Sequence, residues 1–330
     1  MSLRLTKFHK QLCNALQDGL PICSRPFAEI ARALDSDEKT VLQQTSELQR
    51  AGVIRRIRAL INYRALGKIS TLVAAHVPQE NVPQVTEAVN SLEGVSHNYL
   101  RDHFYNLWFT LQAQTTEQIE VTLSNLSDRF GIDFHSLPVK RSFKLDVRFD
   151  AMEAGPGDGL DFYVPKGQTH QPASATLDAR EKLILSKLQE DLAIVSEPFA
   201  YLCGRALGPN EVLGIITELV DKGVIRRVAA VVDHRKLGFV ANVLFVSEVP
   251  KDRIVEAGEK LARFGTVSHC YERGTFENWP FNLFAMVHSR SMAQIQHTID
   301  EFVEAEEIDS FALLPTTAEL KKRPVRYQFD

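Results

Sequence analysis

The sequence predicts an α+β fold that is a tandem duplication: each copy is a winged helix-turn-helix followed by a βαββαβ ferredoxin-like domain. Three observations lead there. First, GVIRRIRALINYRALGK, starting at Gly52, returns as GVIRRVAAVVDHRKLGF, starting at Gly223, and self-similarity at long period marks a duplicated unit. Second, the distance between matched positions is 171 residues at Gly52 and 177 at Pro138, and the four residues ENWP (277–280) supply most of that growth. Ordered drift of this kind means duplication followed by loop insertion. Third, within each copy the apolar pattern changes from helical to strand-like spacing at the same place.

Composition narrows the class of protein. The 330 residues are enough for more than one core, the net charge is -4 and the pI is near 6.2, so no global field draws the chain to nucleic acid. No window approaches a membrane span, and charges interrupt the apolar positions of the first residues, MSLRLTKFHKQLCNALQDG, which excludes a signal peptide. Cys13, Cys23, Cys203 and Cys270 are scattered. They are expected to be free thiols in a cytoplasmic protein.

The elements follow in order. In copy one, KFHKQLCNALQDG, FAEIARAL and SDEKTVLQQTSELQRAG read as three helices, and GVIRR then opens a β-rich stretch. In copy two, LDAREKLILSKLQ opens with an Asp178/Glu181 capping box. A short helix is expected after Pro198, and GPNEVLGIITELVDKG has Pro209 in its first turn and Gly223 at its end. The second part of copy one, STLVAAHV through IDFHSLPV, alternates strand, helix, strand, strand, helix, strand. The expected domains are 1–65 and 177–239 for the helix-turn-helix parts and 66–152 and 240–330 for the ferredoxin-like parts. The Gly- and Pro-rich residues 153–176 are a linker.

This order of parts resembles the Lrp/AsnC family of regulators, in which a DNA-binding helix-turn-helix precedes a ligand-binding domain. The third helices argue against DNA as a partner here. Glu38 and Glu47 cancel Lys39 and Arg50 in the first, and in the second Glu211, Glu218 and Asp221 outnumber Lys222. A major-groove helix needs the opposite balance, because phosphate contacts supply most non-specific affinity.

The basic residues lie elsewhere. Arg55 and Arg56 in copy one and Arg226 and Arg227 in copy two follow the third helix, where a wing would run. Strand alternation puts His97, Tyr99 and Arg101 on one face, and likewise His269, Tyr271 and Arg273. Imidazole can exchange a proton near neutral pH or ligate iron, and guanidinium grips carboxylates in a fork. The strands that follow carry Tyr105, Trp108 and Phe109, then Trp279, Phe281 and Phe284. Rings with arginines beside them suit a flat ligand with carboxylate edges.

These motifs, with the tails LPVKRSFK and LLPTTAELKK, resemble the siroheme decarboxylases across nearly the whole chain, in the form that fuses the D-type and L-type subunits. The resemblance implies a carboxy-lyase that takes CO2 from two acetates of siroheme to give 12,18-didecarboxysiroheme for haem d1 or haem. It implies no cofactor, since the iron belongs to the substrate. Its partners would be siroheme and the product, not DNA or membrane, in an internal pseudo-dimer that further dimerisation could extend. On this reading His97 and His269 are proton donors or axial contacts to the substrate iron, with no resident metal. Tyr99 and Tyr271 are further donors and His234 another acid/base candidate. Arg55, Arg56, Arg101, Arg226, Arg227 and Arg273 clamp carboxylates, and Trp108 supplies apolar surroundings for the one that departs. The copies differ where Tyr63 stands for His234 and Arg141 for Ala318, so unequal pockets are expected. A haem-sensing regulator and a tetrapyrrole carrier are the alternative readings.

Overall fold

The computed structural model describes residues 3–145, 148–152, 174–204 and 207–329. They form two compact units that cut across the two copies: residues 1–67, 148–238 and 327–330 make one, and 68–147 with 239–326 make the other. Most of the linker expected at 153–176 lies outside the described residues.

In the first unit, α1 (Lys7–Asp18), α2 (Pro26–Ala33) and α3 (Glu38–Arg50) lead into β1 (Ile54–Ile61). Thr6 and His9 close a capping box on α1, and Asp37 caps α3 through the amide of Thr40. The second copy supplies α6 (Ala179–Leu188), α7 (Pro209–Asp221) and β6 (Ile225–Val232), with the expected Asp178/Glu181 box in place. Both third helices end at a glycine with positive φ, Gly52 at 70° and Gly223 at 69°. That conformation strains any side chain bearing a Cβ, which is why each GVIRR motif begins with glycine. After Pro198 the described residues hold a short 3-10 helix, Ala200–Leu202, in place of a second α-helix. Gly204 follows two residues later, before any α-helical turn has propagated.

The two GVIRR stretches pair with each other as an antiparallel ribbon. Matched positions exchange matched bonds across it: the Asn62 amide donates to the Val224 carbonyl and that of Asp233 to Val53, both at 2.8 Å, while the amides of Leu20 and Leu192 reach the carbonyls of Val228 and Ile57, both at 2.7 Å. The helix-turn-helix parts are thus a pseudo-symmetric pair. Residues 148–152 belong here rather than to the first ferredoxin-like domain, because Phe149 is buried and stacks on His234 at 5.1 Å. Tyr327 joins the same unit through two hydrogen bonds with Gln189.

The second unit contains β2 (Ile69–Ala75), α4 (Val82–Ser91), β3 (Val95–Arg101), β4 (Leu107–Ala113), α5 (Thr116–Phe130) and β5 (Phe134–Leu145). Copy two repeats them as β7 (Ala241–Ser247), α8 (Ile254–Arg263), β8 (Val267–Arg273), β9 (Leu283–Ser289), α9 (Met292–Ala305) and β10 (Phe311–Lys322). The strands of both copies close into one barrel in the order β10-β3-β4-β2-β5-β8-β9-β7, as an internal pseudo-dimer. Closure works by strand exchange. The first half of β5 pairs with β2 of its own copy and the second half with β8 of the other, while β10 pairs first with β7 and then with β3. Full closure leaves no strand edge to aggregate.

Each copy buries a core between its helices and the outer face of its strands, around Val73, Phe109 and Leu123 in one and Phe245, Leu261 and Phe302 in the other. A third core fills the barrel with Trp108, Leu137, Leu244, Trp279, Phe284 and Leu314. The exchanged strands also cap helices: Lys321 Nζ donates to the carbonyls of Asn90 and Leu92 at the end of α4, and Lys144 Nζ to Phe264 at the end of α8. A cation at a helix C-terminus satisfies bare carbonyls and opposes the negative pole of the dipole.

Candidate functional site

A bulge sets the phase of the His-x-Tyr-x-Arg strands. Val95 points into the helix-side core, so strict alternation would send His97 there too. The register slips between Val95 and His97, and again between Val267 and His269, and each slip turns the triplet to the inner face. Tyr99 then sits opposite Trp108 and Tyr271 opposite Phe284, both members of the barrel core. Because β3 and β8 are separated by three strands on either side, the triplets form opposing walls.

Within a wall the groups touch in sequence. The His97 and Tyr99 rings are 6.2 Å apart and Arg101 lies 5.5 Å from the Tyr99 ring; the matching distances are 6.1 Å for His269 to Tyr271 and 4.9 Å for Arg273 to Tyr271. Nδ1 of His97 lies 2.8 Å from Ser96 Oγ, and Nδ1 of His269 lies 2.9 Å from Ser268 Oγ. A hydroxyl at one ring nitrogen fixes the orientation in which the other, Nε2, meets a ligand.

The exchanged strands complete these walls with residues that lie outside the repeated triplets. His97, Tyr99 and Arg101 face Lys322, Glu319 and Thr316, whereas His269, Tyr271 and Arg273 face Leu145, Ser142 and Val139. The signal was present in the sequence, because Lys322 and Leu145 are matched positions 177 apart. Nothing before the barrel closed said that β10 would run beside β3.

Electrostatics bears on the role expected of His97. Burial, helped by the charge of Lys322, lowers the His97 pKa to about 4. Its resting imidazole is therefore neutral, which suits a base or an iron contact better than a proton donor. The shift carries a stability prediction. Unfolded histidine titrates near pH 6.5, so between pH 6.5 and 4 the unfolded chain binds a proton that the folded chain refuses. Stability falls through that window, by an amount on the order of 3 kcal/mol from this group. Denaturation at pH 7 and at pH 4 should show the His97→Gln variant losing less stability than the parent; equal losses would rule this contribution out.

Arg101 is also more constrained than a surface clamp. It is buried, its Nη1 donates to the Leu314 carbonyl at 2.9 Å and to Thr316 Oγ1 at 3.1 Å, and Nη2 reaches Met286 Sδ at 3.7 Å. Burial brings its pKa to about 10, so it stays cationic. Arg273 donates to the Leu137 carbonyl in the matching way. Trp108 is sealed in the barrel core at 5.3 Å from Trp279, with its indole N–H given to the Tyr105 carbonyl.

The remaining candidates belong to the other unit. Arg55 pairs with Asp233 at 2.9 Å, and Arg56 lies 3.9 Å from Asp191. Arg226 and Arg227 are half-buried on β6, and His234 is buried against Phe149. None of these five shares an element with the His-Tyr-Arg walls.

A pseudo-dimeric barrel together with a paired helix-turn-helix defines an Lrp/AsnC-type chain, and the AsnC-like ligand binding domain model matches residues 65–144 and 236–321. The model for the siroheme decarboxylase NirDL-like HTH domain matches 9–55, in copy one. The siroheme decarboxylase of Hydrogenobacter thermophilus is 33% identical over 320 residues, covering 96% of this chain and 94% of that protein. Similarity extends to a crystal structure of the siroheme decarboxylase NirDL in complex with an iron-uroporphyrin III analogue: TM-score 0.72, 29% identity, 98% of this chain and 95% of that one. The alpha subunit of the Desulfovibrio desulfuricans enzyme, 39% identical over 140 residues, covers 42% of this chain with 81% of its own length. The chain belongs to the siroheme decarboxylase family, in its fused, two-copy form.

Proposed function

We propose that this chain binds siroheme and removes CO2 from two of its acetate side chains, giving 12,18-didecarboxysiroheme for haem d1 or haem synthesis. The observation that carries the reading is the pair of His-Tyr-Arg triplets on opposing barrel walls, within a chain of this family.

The chemistry needs no further cofactor on this reading. When the bond between the acetate CH2 and its carboxylate breaks, the electron pair passes into the macrocycle, CO2 leaves, and a proton delivered to the CH2 carbon completes a methyl group. Tyr99 and Tyr271 stand beside the imidazoles as proton donors, and the histidines act as base or as axial contact to the substrate's iron. Arginines hold the carboxylates that stay, each charge-assisted bond contributing roughly 1.5 to 3 kcal/mol. Arg55, Arg56, Arg226 and Arg227 keep the carboxylate-clamp role, and His234 the acid/base role, that the family resemblance implies for them.

DNA is not proposed as a ligand. The third helices carry no excess of basic residues, and among the described residues the second helix-turn-helix has a 3-10 helix where its middle α-helix would stand. No helix among the described residues is long and apolar enough to cross a membrane, and the four cysteines are unpaired, in keeping with a cytoplasmic enzyme.

Anaerobic incubation of the purified chain with siroheme alone, followed by mass spectrometry, is expected to show stepwise loss of two CO2 masses. Siroheme that co-elutes unchanged would replace this reading with that of a carrier or sensor.

A further inference from the structure

The two walls carry the same triplet but meet different neighbours. On inner-face positions, cross-strand partners lie side by side. His97 thus has a lysine beside it, Tyr99 a glutamate and Arg101 a threonine; His269 has a leucine, Tyr271 a serine and Arg273 a valine. Behind the histidines the difference recurs. Ser96 Oγ, which touches His97, also bonds Thr110 Oγ1 at 2.8 Å, while the position matching Thr110 is Met286, and Ser268 Oγ, which touches His269, donates to the Met286 carbonyl at 3.3 Å.

We propose, resting on the siroheme reading above, that the walls have divided the work: the His97 wall, charged by Lys322, grips carboxylates that the product retains, and the His269 wall, facing Leu145, is where a carboxylate leaves as CO2.

The physical reason is differential stabilisation. A lysine ion pair lowers the energy of the bound carboxylate but not of the transition state, in which the negative charge has moved into the ring, so it improves binding and slows departure. Leu145, 40% exposed, offers no counter-charge, so the carboxylate beside it has no ion pair to lose as its charge moves into the ring. Lys322 can exchange partners: its ion pair with Glu319 is 3.7 Å long, and each side chain is about a quarter exposed, at 27% and 26%. At 3.7 Å the pair is longer than a charge-assisted hydrogen bond, so a bound carboxylate can compete with Glu319 for the lysine. A planar polycarboxylate can displace it. The step itself is balanced as written above: one C–C bond breaks, one C–H bond forms, CO2 departs and one proton is consumed, with no oxidant or reductant.

The test uses the full chain and three variants: Lys322→Leu, Lys322→Arg and Leu145→Lys. Siroheme binding is followed by its absorbance, and turnover by mass spectrometry in parallel. Lys322→Leu is expected to raise KM by about tenfold, the size of one charge-assisted hydrogen bond, with a smaller change in kcat. Lys322→Arg should restore KM to within about threefold. Leu145→Lys should lower kcat about tenfold or more without raising KM. Unchanged KM in Lys322→Leu, failure of Lys322→Arg to rescue, or unchanged kcat in Leu145→Lys would each overturn the division. If the parent chain binds siroheme but leaves it intact, the decarboxylase reading fails and takes the departing-carboxylate half with it; the dissociation constant of Lys322→Leu then decides the clamp by itself.

Discussion

His269→Gln should lower siroheme turnover by two orders of magnitude or more, and His97→Gln should lower it by no more than about tenfold while raising KM, because loss of a positioned acid or base removes about 10²–10⁴ from a rate and loss of a binding contact does not. The argument begins with the strands. Both histidines are turned inward by the same bulge and held at Nδ1 by the serine that precedes them, so local geometry does not separate them. The neighbours do. Burial, with the Lys322 charge as the smaller cause, keeps the His97 imidazole neutral down to about pH 4, and that lysine is the neighbour His97 has and His269 lacks. Beside His269 the matched position is Leu145. Single-turnover rates of the two variants, measured anaerobically with saturating siroheme, give the comparison. Equal losses would mean that both walls do chemistry. A larger loss in His97→Gln would reverse the assignment.

Much of this was legible before any fold was built. The repeat fixed the number of copies, and the glycines of the GVIRR motifs, the Asp178/Glu181 box and Pro209 marked helix ends at or near the observed positions. The period-2 reading of His-x-Tyr-x-Arg placed three side chains on one face, and they are on one face. Which face they share was not legible, because that depends on a bulge at Ser96 and Ser268 whose only trace is a small polar residue between Val and His. Nor was strand exchange. The residues opposite each triplet lie more than 120 positions away in β5 and over 200 away in β10, and local pattern is silent on pairings at that range. The short helix after Pro198 is present as a 3-10 helix, and its type was not legible, because Pro198 signals a start while Gly204 just beyond it stops propagation.

Gly258→Ala should destabilise the barrel by roughly 1 to 3 kcal/mol, the usual cost of overpacking a core, and Phe143→Leu should recover most of that loss in the double variant. A Cβ at Gly258 would fall 2.3 Å from Cε2 and 2.4 Å from Cζ of Phe143. Neither side can yield easily: Gly258 is fixed in the middle of α8, and the ring is held by β5, whose second half is exchanged into the other copy. The first copy shows the alternative solution. At the matched positions it has Thr86 on α4 and Leu320 on β10, a larger helix residue with a smaller strand residue. The two helix–strand contacts therefore reach similar volume by opposite choices, and moving one residue without the other leaves either a clash or a gap. Phe143→Leu by itself should cost about 1 kcal/mol for the cavity it opens. Denaturant unfolding of the parent, both single variants and the double variant gives the coupling energy directly. A double variant whose loss equals the sum of the two single losses would show that Gly258 and Phe143 do not meet across the exchanged strand, and the register that places Ser142 and Leu145 against the His269 wall would fall with it.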